Sequence, residues 1–256
     1  VPAKIIKFKT EKITGDIGLK TLFSITNGNL FGRGFYRKLC KFDTIISELS
    51  KNRQRQRLKT ASPRYKKLVA KIRNFIKNEV NRIFNRIIKL YAPKKIVIEN
   101  LNFSSPDLSK RLNRIIQNFG KGIIEKKLQT LNEEYGIEIK KVNPAYTSQT
   151  CNSCHYVDKR NRPTQEKFSC KWCGKKLHAD VCASRNVEIR DEDSELGGIY
   201  LSRKTILNTL VKRFVKQISR PDSRANGSLT PDRLALLASN PYFKDSELWS
   251  QSKRVA

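Results

Sequence analysis

Methionine is absent from the 256-residue chain, which opens on Val1, so the sequence is expected to be a processed or excised part of something longer. Long apolar runs are missing as well. None approaches the ~20 residues that a membrane-spanning helix needs, and no signal peptide opens the chain, so a spanning protein is excluded and an exported one is not expected. Acidic residues are scarce, 23 against 53 Lys and Arg, for a formal charge of +30. That excess is too large for a by-product of a solvated surface. A polyanionic partner is expected, and nucleic acid is the usual one. Docking on anionic lipid would call for an amphipathic anchor or a lipidation signal, and no membrane partner is expected. No internal repeat is present. Without signs of export the cysteines are expected to be reduced, and the location cytoplasmic beside the nucleoid, or nuclear if the source is eukaryotic.

What is present is concentrated between Asn143 and Val187. Four of the six cysteines stand there as two C-x-x-C pairs, Cys151 with Cys154 and Cys170 with Cys173. Each pair offers two thiolates from one tight turn, which suits a tetrahedral Zn²⁺ site of the Cys₄ kind. Cys40 and Cys182 fall outside this ribbon and are expected to be small buried residues. Directly after the ribbon a helix is expected from Ala179. Asp180, Ala183, Ser184 and Val187 recur at i, i+3, i+4 and i+7, a face of small residues with one acid aimed into whatever it packs against. Taken alone, Asp180 also reads as a helix N-terminal acid favoured by the macrodipole.

The rest of the chain alternates strand and helix signals. Residues 4–36 are expected to hold two or three antiparallel strands, with Asn27-Gly28 as a hairpin turn. Asp16, flanked by Gly15 and Gly18, is an unusual strand residue, since glycines there let another group approach the backbone; the plain alternative is a Gly-Asp turn. From Phe42 to about Leu90 apolar residues at helical spacing predict one or two long amphipathic helices, broken near Ser62-Pro63. The basic KNRQRQRLK stretch reads either as a solvated face or, given its number of cations without nearby acids, as a set of phosphate contacts, and the second is expected. A buried strand at Ile96–Ile98 ends in Glu99, and a buried carboxylate needs pairing, hydrogen bonds or a metal. Residues 109–135 predict helix and 137–144 a strand. Gly197-Gly198 reads as a linker, and 201–218 as a further helix. Beyond Pro221 a poorly ordered tail is expected, with ALLASNPYF and Trp249 available to dock on a partner.

Asp16, Glu99 and Asp180 are therefore three isolated acids on an early strand, at a buried strand end and on a late helix. If one sheet carries the strands and the helix covers it, the carboxylates converge. Their mutual repulsion forbids an empty ionised cluster, so they are expected to hold Mg²⁺ or Mn²⁺. Two such ions ~4 Å apart activate a water and stabilise the leaving oxygen of a phosphodiester.

TGDIGLKTLFSITNG, VIENLNF, NPAYTSQTCNSC, FSCKWCG and HADVCASRNV together resemble the nuclease core and zinc-binding insert of the TnpB proteins and the type V CRISPR effector nucleases, over residues 12–190. The resemblance implies an α/β, RNase H-like (RuvC) mixed sheet flanked by long helices, with an inserted Cys₄ zinc ribbon. The chain is accordingly expected to divide into core (1–142), ribbon (143–178) and core again (179–192), followed by the C-terminal helix and flexible tail (193–256) that spacing and composition predict. The resemblance also implies an RNA-guided, metal-dependent DNA endonuclease in which Asp16, Glu99 and Asp180 are the catalytic metal ligands, Cys151, Cys154, Cys170 and Cys173 hold zinc, and the partners are a DNA target and a guide RNA. Guide binding is expected to involve an N-terminal half or a partner chain, of which residues 1–10 are at most the end. The sequence departs from the family at Gly15, commonly apolar, at Asn100, commonly an acid, and at Cys182, commonly Asn. The departures at Asn100 and Cys182 motivate an alternative, a non-catalytic nucleic-acid-binding protein such as an RNA-guided repressor or transposon remnant. A guide-free resolvase would share the acids without needing the ribbon.

Overall fold

Strand alternation decides which side chains meet in this molecule. The computed structural model describes residues 5–99, 107–219 and 230–244; Asn100, Trp249 and the polar stretch 221–229 lie outside them. Among the described residues, β1 (Thr10–Asp16), β2 (Phe23–Ile25), β3 (Leu30–Phe31), β4 (Pro93–Glu99) and β5 (Glu138–Val142) form one mixed sheet in the order β3-β2-β1-β4-β5. The first three are antiparallel neighbours, whereas β4 runs parallel to β1 and β5 parallel to β4. This is the RNase H-like arrangement that the resemblance implies. Asn27 and Gly28 turn the β2–β3 hairpin, with Gly28 at φ +94°.

Successive strand residues point to opposite faces. Ile13, Ile96 and Ile98 enter the main core, which is closed by α1 (Gly34–Arg55), α2 (Pro63–Tyr91), α3 (Lys110–Ile115) and α4 (Lys121–Tyr135). Lys12, Thr14 and Asp16 of β1, with Lys95, Val97 and Glu99 of β4, belong to the other face, which α5 (Ala179–Glu192) covers. On α5 the positions 180, 187 and 191 line up along one stripe, because seven and eleven residues are close to whole numbers of 3.6-residue turns. Asp180 thus sits at the acid end of the strands, Val187 packs in the middle on Val97 and Val142, and Asp191 reaches the lysine end.

There Asp191 holds three strands at once. Its carboxylate accepts from Lys95 at 2.9 Å and Lys140 at 2.8 Å, and it lies 3.4 Å from Lys12. Burial pushes its carboxyl up, but hydrogen bonds and charge from Lys140 and Lys95 outweigh that and hold it at about 2. A depressed carboxyl contributes stability above its unfolded value, 3.8, that is lost as pH falls toward 2. Asp191→Asn is therefore expected to lower Tm at pH 7, with the gap to the parent chain closing between pH 4 and 2; a gap that stays constant across that window would refute the clamp. Thr14, beside Val97 in the register, is 1% exposed and its hydroxyl has no hydrogen-bond partner among the described residues. Leaving such a donor unpaired costs ~1–3 kcal/mol, so Thr14→Val is expected to stabilise the chain by ~1 kcal/mol in urea unfolding, and a destabilised variant would contradict this.

Several expected boundaries shift. Residues 34–36 start α1 instead of extending the strands, because Phe35 stacks on Phe75 of α2, centroids 5.5 Å apart, from within the helix. The helical run 109–135 is continuous through a π-helical turn at Ile116–Gly120. Cys40 is half-buried, packed at the core's edge, whereas Cys182 is fully buried. Gly197-Gly198 is no free linker: it closes α6 (Ser194–Gly197), and Asn143 donates to the Gly197 and Gly198 carbonyls, both at 3.1 Å.

Between β5 and α5 lies the ribbon, with the hairpin β6 (Lys167–Ser169) and β7 (Lys176–His178) feeding straight into α5. It has no core of its own. Tyr156 and Trp172 pack with Phe214 of α7 (Arg203–Ile218), and Tyr156 and Phe214 also pack with Phe243 of α9 (Pro241–Lys244). Asn240, just after α8 (Pro231–Ser239), donates to Tyr156 Oη at 2.8 Å and to the Val157 carbonyl at 2.9 Å. The ALLASNPYF stretch, expected in a loose tail that docks on a partner, instead covers this chain's own ribbon. The physical reason is the apolar surface that so small a ribbon leaves open.

Candidate metal sites and cleft

The two cysteine knuckles meet. Each is a tight turn, His155 N–H donating to the Cys151 carbonyl and Gly174 N–H to the Cys170 carbonyl. The four sulfurs lie within 4.8 Å of one another, with Cys151–Cys173 at 3.7 Å and Cys154–Cys170 at 3.5 Å. Those spacings are far beyond the ~2.05 Å of a disulfide and near the ~3.8 Å between ligands on a tetrahedron of ~2.3 Å metal–sulfur bonds. Among the described residues this is the group that gathers tightly enough around one ion.

The three acids come together in a more open place. Asp16 ends β1 and Glu99 ends the parallel neighbour β4, with Gly15 paired to Ile98 one step before. Asp180 stands in the first turn of α5, whose N-cap is His178, its Nδ1 accepting from Asp180 N–H at 3.3 Å. All three line one cleft of about 360 Å³ with Lys20, Tyr36, Arg162 and Gln165. Asp16 and Asp180 are each 8% exposed. Burial pushes the Asp16 carboxyl well above its ordinary value, and the adjacent Glu99 adds to this. Burial raises Glu99 too, opposed by hydrogen bonds from Asp16 and Thr147 and by Arg190 and Arg162.

The backbones that carry the acids are clasped by two buried serines. Ser184 Oγ lies 2.8 Å from the Asp180 carbonyl, 2.9 Å from that of Ser24 and 2.8 Å from Ser24 Oγ, and accepts from Asp16 N–H at 3.3 Å. Gly15 makes this approach feasible, since a Cβ there would stand 2.4 Å from the Phe23 ring and 2.8 Å from the Ser24 carbonyl. Cys182 does not line the cleft, and its thiol lies 3.5 Å from the Thr150 carbonyl.

Sequence reasoning missed the cations at this cleft. Arg162, in the loop between the knuckles, donates from Nη2 to Asp180 Oδ1 at 3.1 Å and to the Gln165 carbonyl at 2.6 Å. Nothing distinguishes it in sequence from Lys159 and Arg160 beside it. Lys20 lies over the Tyr36 ring, 5.8 Å from its centroid. Thr147 and Arg190 went unnoticed as well: the Thr147 hydroxyl donates to Glu99 at 2.9 Å, and buried Arg190 donates to the Asn143 and Ala145 carbonyls.

Residues 122–187 match the family model of the Cas12f1-like TNB domain. The chain is 32% identical over 136 residues to a CRISPR-associated endodeoxyribonuclease Cas12f1 of Syntrophomonas palmitatica, covering 52% of this chain and 27% of that one. It is 28% identical over 195 residues to InsQ of Escherichia coli K12, covering 67% and 47%. A solved Cas12f1–sgRNA–target DNA complex aligns with 68% of this chain and 49% of its own at 24% identity and a TM-score of 0.47. The chain thus spans under half the length of the curated relatives it matches here.

Proposed function

We propose that this chain is a divalent-metal-dependent DNA endonuclease of the RuvC-type, RNA-guided kind found among TnpB proteins and type V CRISPR effectors, a reading supported by its similarity to Cas12f1, to InsQ and to a TnpB-like protein of Aquifex aeolicus. The observation that carries the reading is the meeting of Asp16, Glu99 and Asp180 in one cleft of a +30 chain. The donor set suits a hard cation, since carboxylates offer oxygen alone, and a dication would offset the burial and mutual repulsion that push Asp16 and Glu99 up. Asp16, Glu99 and Asp180 would hold Mg²⁺ or Mn²⁺, which when bound supply a water of lowered pKa and a counter-charge at the leaving oxygen. Arg162 and Lys20 flank the acids and would bind the oxygens of the phosphodiester. Arg162 leaves Asp180 for that task, so the ribbon both neutralises the acid before substrate arrives and orients the strand afterwards. Cys151, Cys154, Cys170 and Cys173 would hold Zn²⁺. The guide RNA would be bound together with an N-terminal half or a partner chain.

One observation favours a second reading. The Asp180 carboxylate is already paired to Arg162, as in a protein that binds nucleic acid without cutting it, an RNA-guided repressor or transposon remnant. Labelled single-stranded DNA incubated with and without Mg²⁺ separates the two. Fragments that form in Mg²⁺ alone are expected; an intact strand in both lanes, with binding retained, would favour the repressor.

A further inference from the structure

Glu99 closes β4 half-buried, and outside the acid trio its carboxylate has one hydrogen-bonding side chain among the described residues, Thr147, whose Oγ1 lies 2.9 Å from Oε2. Thr147 is 3% exposed and belongs to the turn 144–150 that leads from β5 into the ribbon. That turn is pinned from two sides. From α5, Asn186 Nδ2 donates to the Thr147 and Thr150 carbonyls, both at 2.7 Å, while Arg190 donates to the carbonyls of Asn143 and Ala145. From the ribbon, Thr150 immediately precedes Cys151 and bridges to Val157 across the first knuckle. A threonine hydroxyl has one proton to give, and the Pro144 carbonyl competes for it at 3.0 Å. Contact with Glu99 therefore depends on the turn keeping its shape.

We propose that Thr147 is a positioning residue for Glu99, the point through which the cysteine ribbon sets the orientation of the second acid. This rests on the reading of Glu99 as a ligand of the catalytic cation. Hydrogen-bond partners of metal ligands typically hold ~10–100-fold in metal affinity, and Thr147 connects a ligand on the sheet to a backbone that the knuckle shapes.

The test uses the full, zinc-loaded chain and Mn²⁺ as the probe, free Mn²⁺ being counted by electron paramagnetic resonance. Thr147→Val is expected to weaken Mn²⁺ binding ~10-fold or more with zinc content and circular dichroism unchanged, and Thr147→Ser to restore it. Cleavage should follow as a shift in the Mn²⁺ concentration needed, larger than any fall in the rate at saturation. Unaltered Mn²⁺ affinity in Thr147→Val beside a weakened Glu99→Gln overturns the positioning role and leaves the reading of the acids intact. Unaltered affinity in Glu99→Gln overturns both. If Thr147→Val loses zinc or helical signal, the hydroxyl holds the turn and not the acid, and the proposal fails.

Discussion

Asp16→Ala and Asp180→Ala are each expected to abolish Mg²⁺-dependent cleavage of single-stranded DNA, by more than the ~100-fold that loss of a ligand's hydrogen-bond partner can cost. Both are buried carboxylates in the one cleft where strand ends and helix start coincide. Binding should survive, because a chain of +30 holds phosphates by counterion release over a wide surface. Asp180→Ala also frees Arg162 from its 3.1 Å ion pair, so DNA affinity should hold or rise, and fall with salt as in the parent. The control is fold: Asp16 sits at 8% exposure with its carboxyl pushed up by burial, so a neutral side chain there removes a cost and should leave the metal-free chain at least as stable. Equal cleavage by the parent and both variants would end the assignment of these acids as metal ligands.

Stripping zinc from the proposed Cys₄ site is the second large expected effect. Structural zinc contributes ~10–16 kcal/mol to the folding of small zinc domains, and this ribbon shares its only core with α7, α8 and α9. A chelator is therefore expected to open 145–178 to trypsin and to release Phe243 and Asn240 from Tyr156, exposing the segment 230–244 at the same time. The layer of α1, α2 and α4 on the sheet has a separate core and should persist as a resistant fragment. An unchanged digestion pattern after complete removal of zinc would refute the Cys₄ site; digestion of 145–178 with 230–244 still protected would refute the shared core.

Much of this was written locally. Two C-x-x-C pairs declare a metal knuckle because chelation needs donors within one tight turn, wherever the chain then goes. Helical spacing in α2 and in α5, the Asn27-Gly28 hairpin, and the apolar run into Glu99 follow likewise from short-range sterics and periodicity. The acids stood out because a carboxylate in a buried pattern demands an explanation. Other features have no local signature. Lys12, Lys95 and Lys140 look like ordinary surface lysines among 53 basic residues, and only parallel pairing of β1, β4 and β5 brings them to Asp191. Arg162 is one of several neighbouring cations until the knuckles fold and direct it to Asp180. ALLASNPYF is an amphipathic fragment whose partner, the open face of the ribbon, exists only after the ribbon has closed.

The amino-acid order by itself determined most of the elements, their faces and which residues are candidate metal ligands, because period-2 and period-3.6 patterns and ligand spacing act over a few residues. The tertiary structure alone decided which cations meet which acids, and that Thr147 touches Glu99. Those contacts join positions 18 to 179 residues apart, and register and docking angle, which no short window of sequence contains, set them.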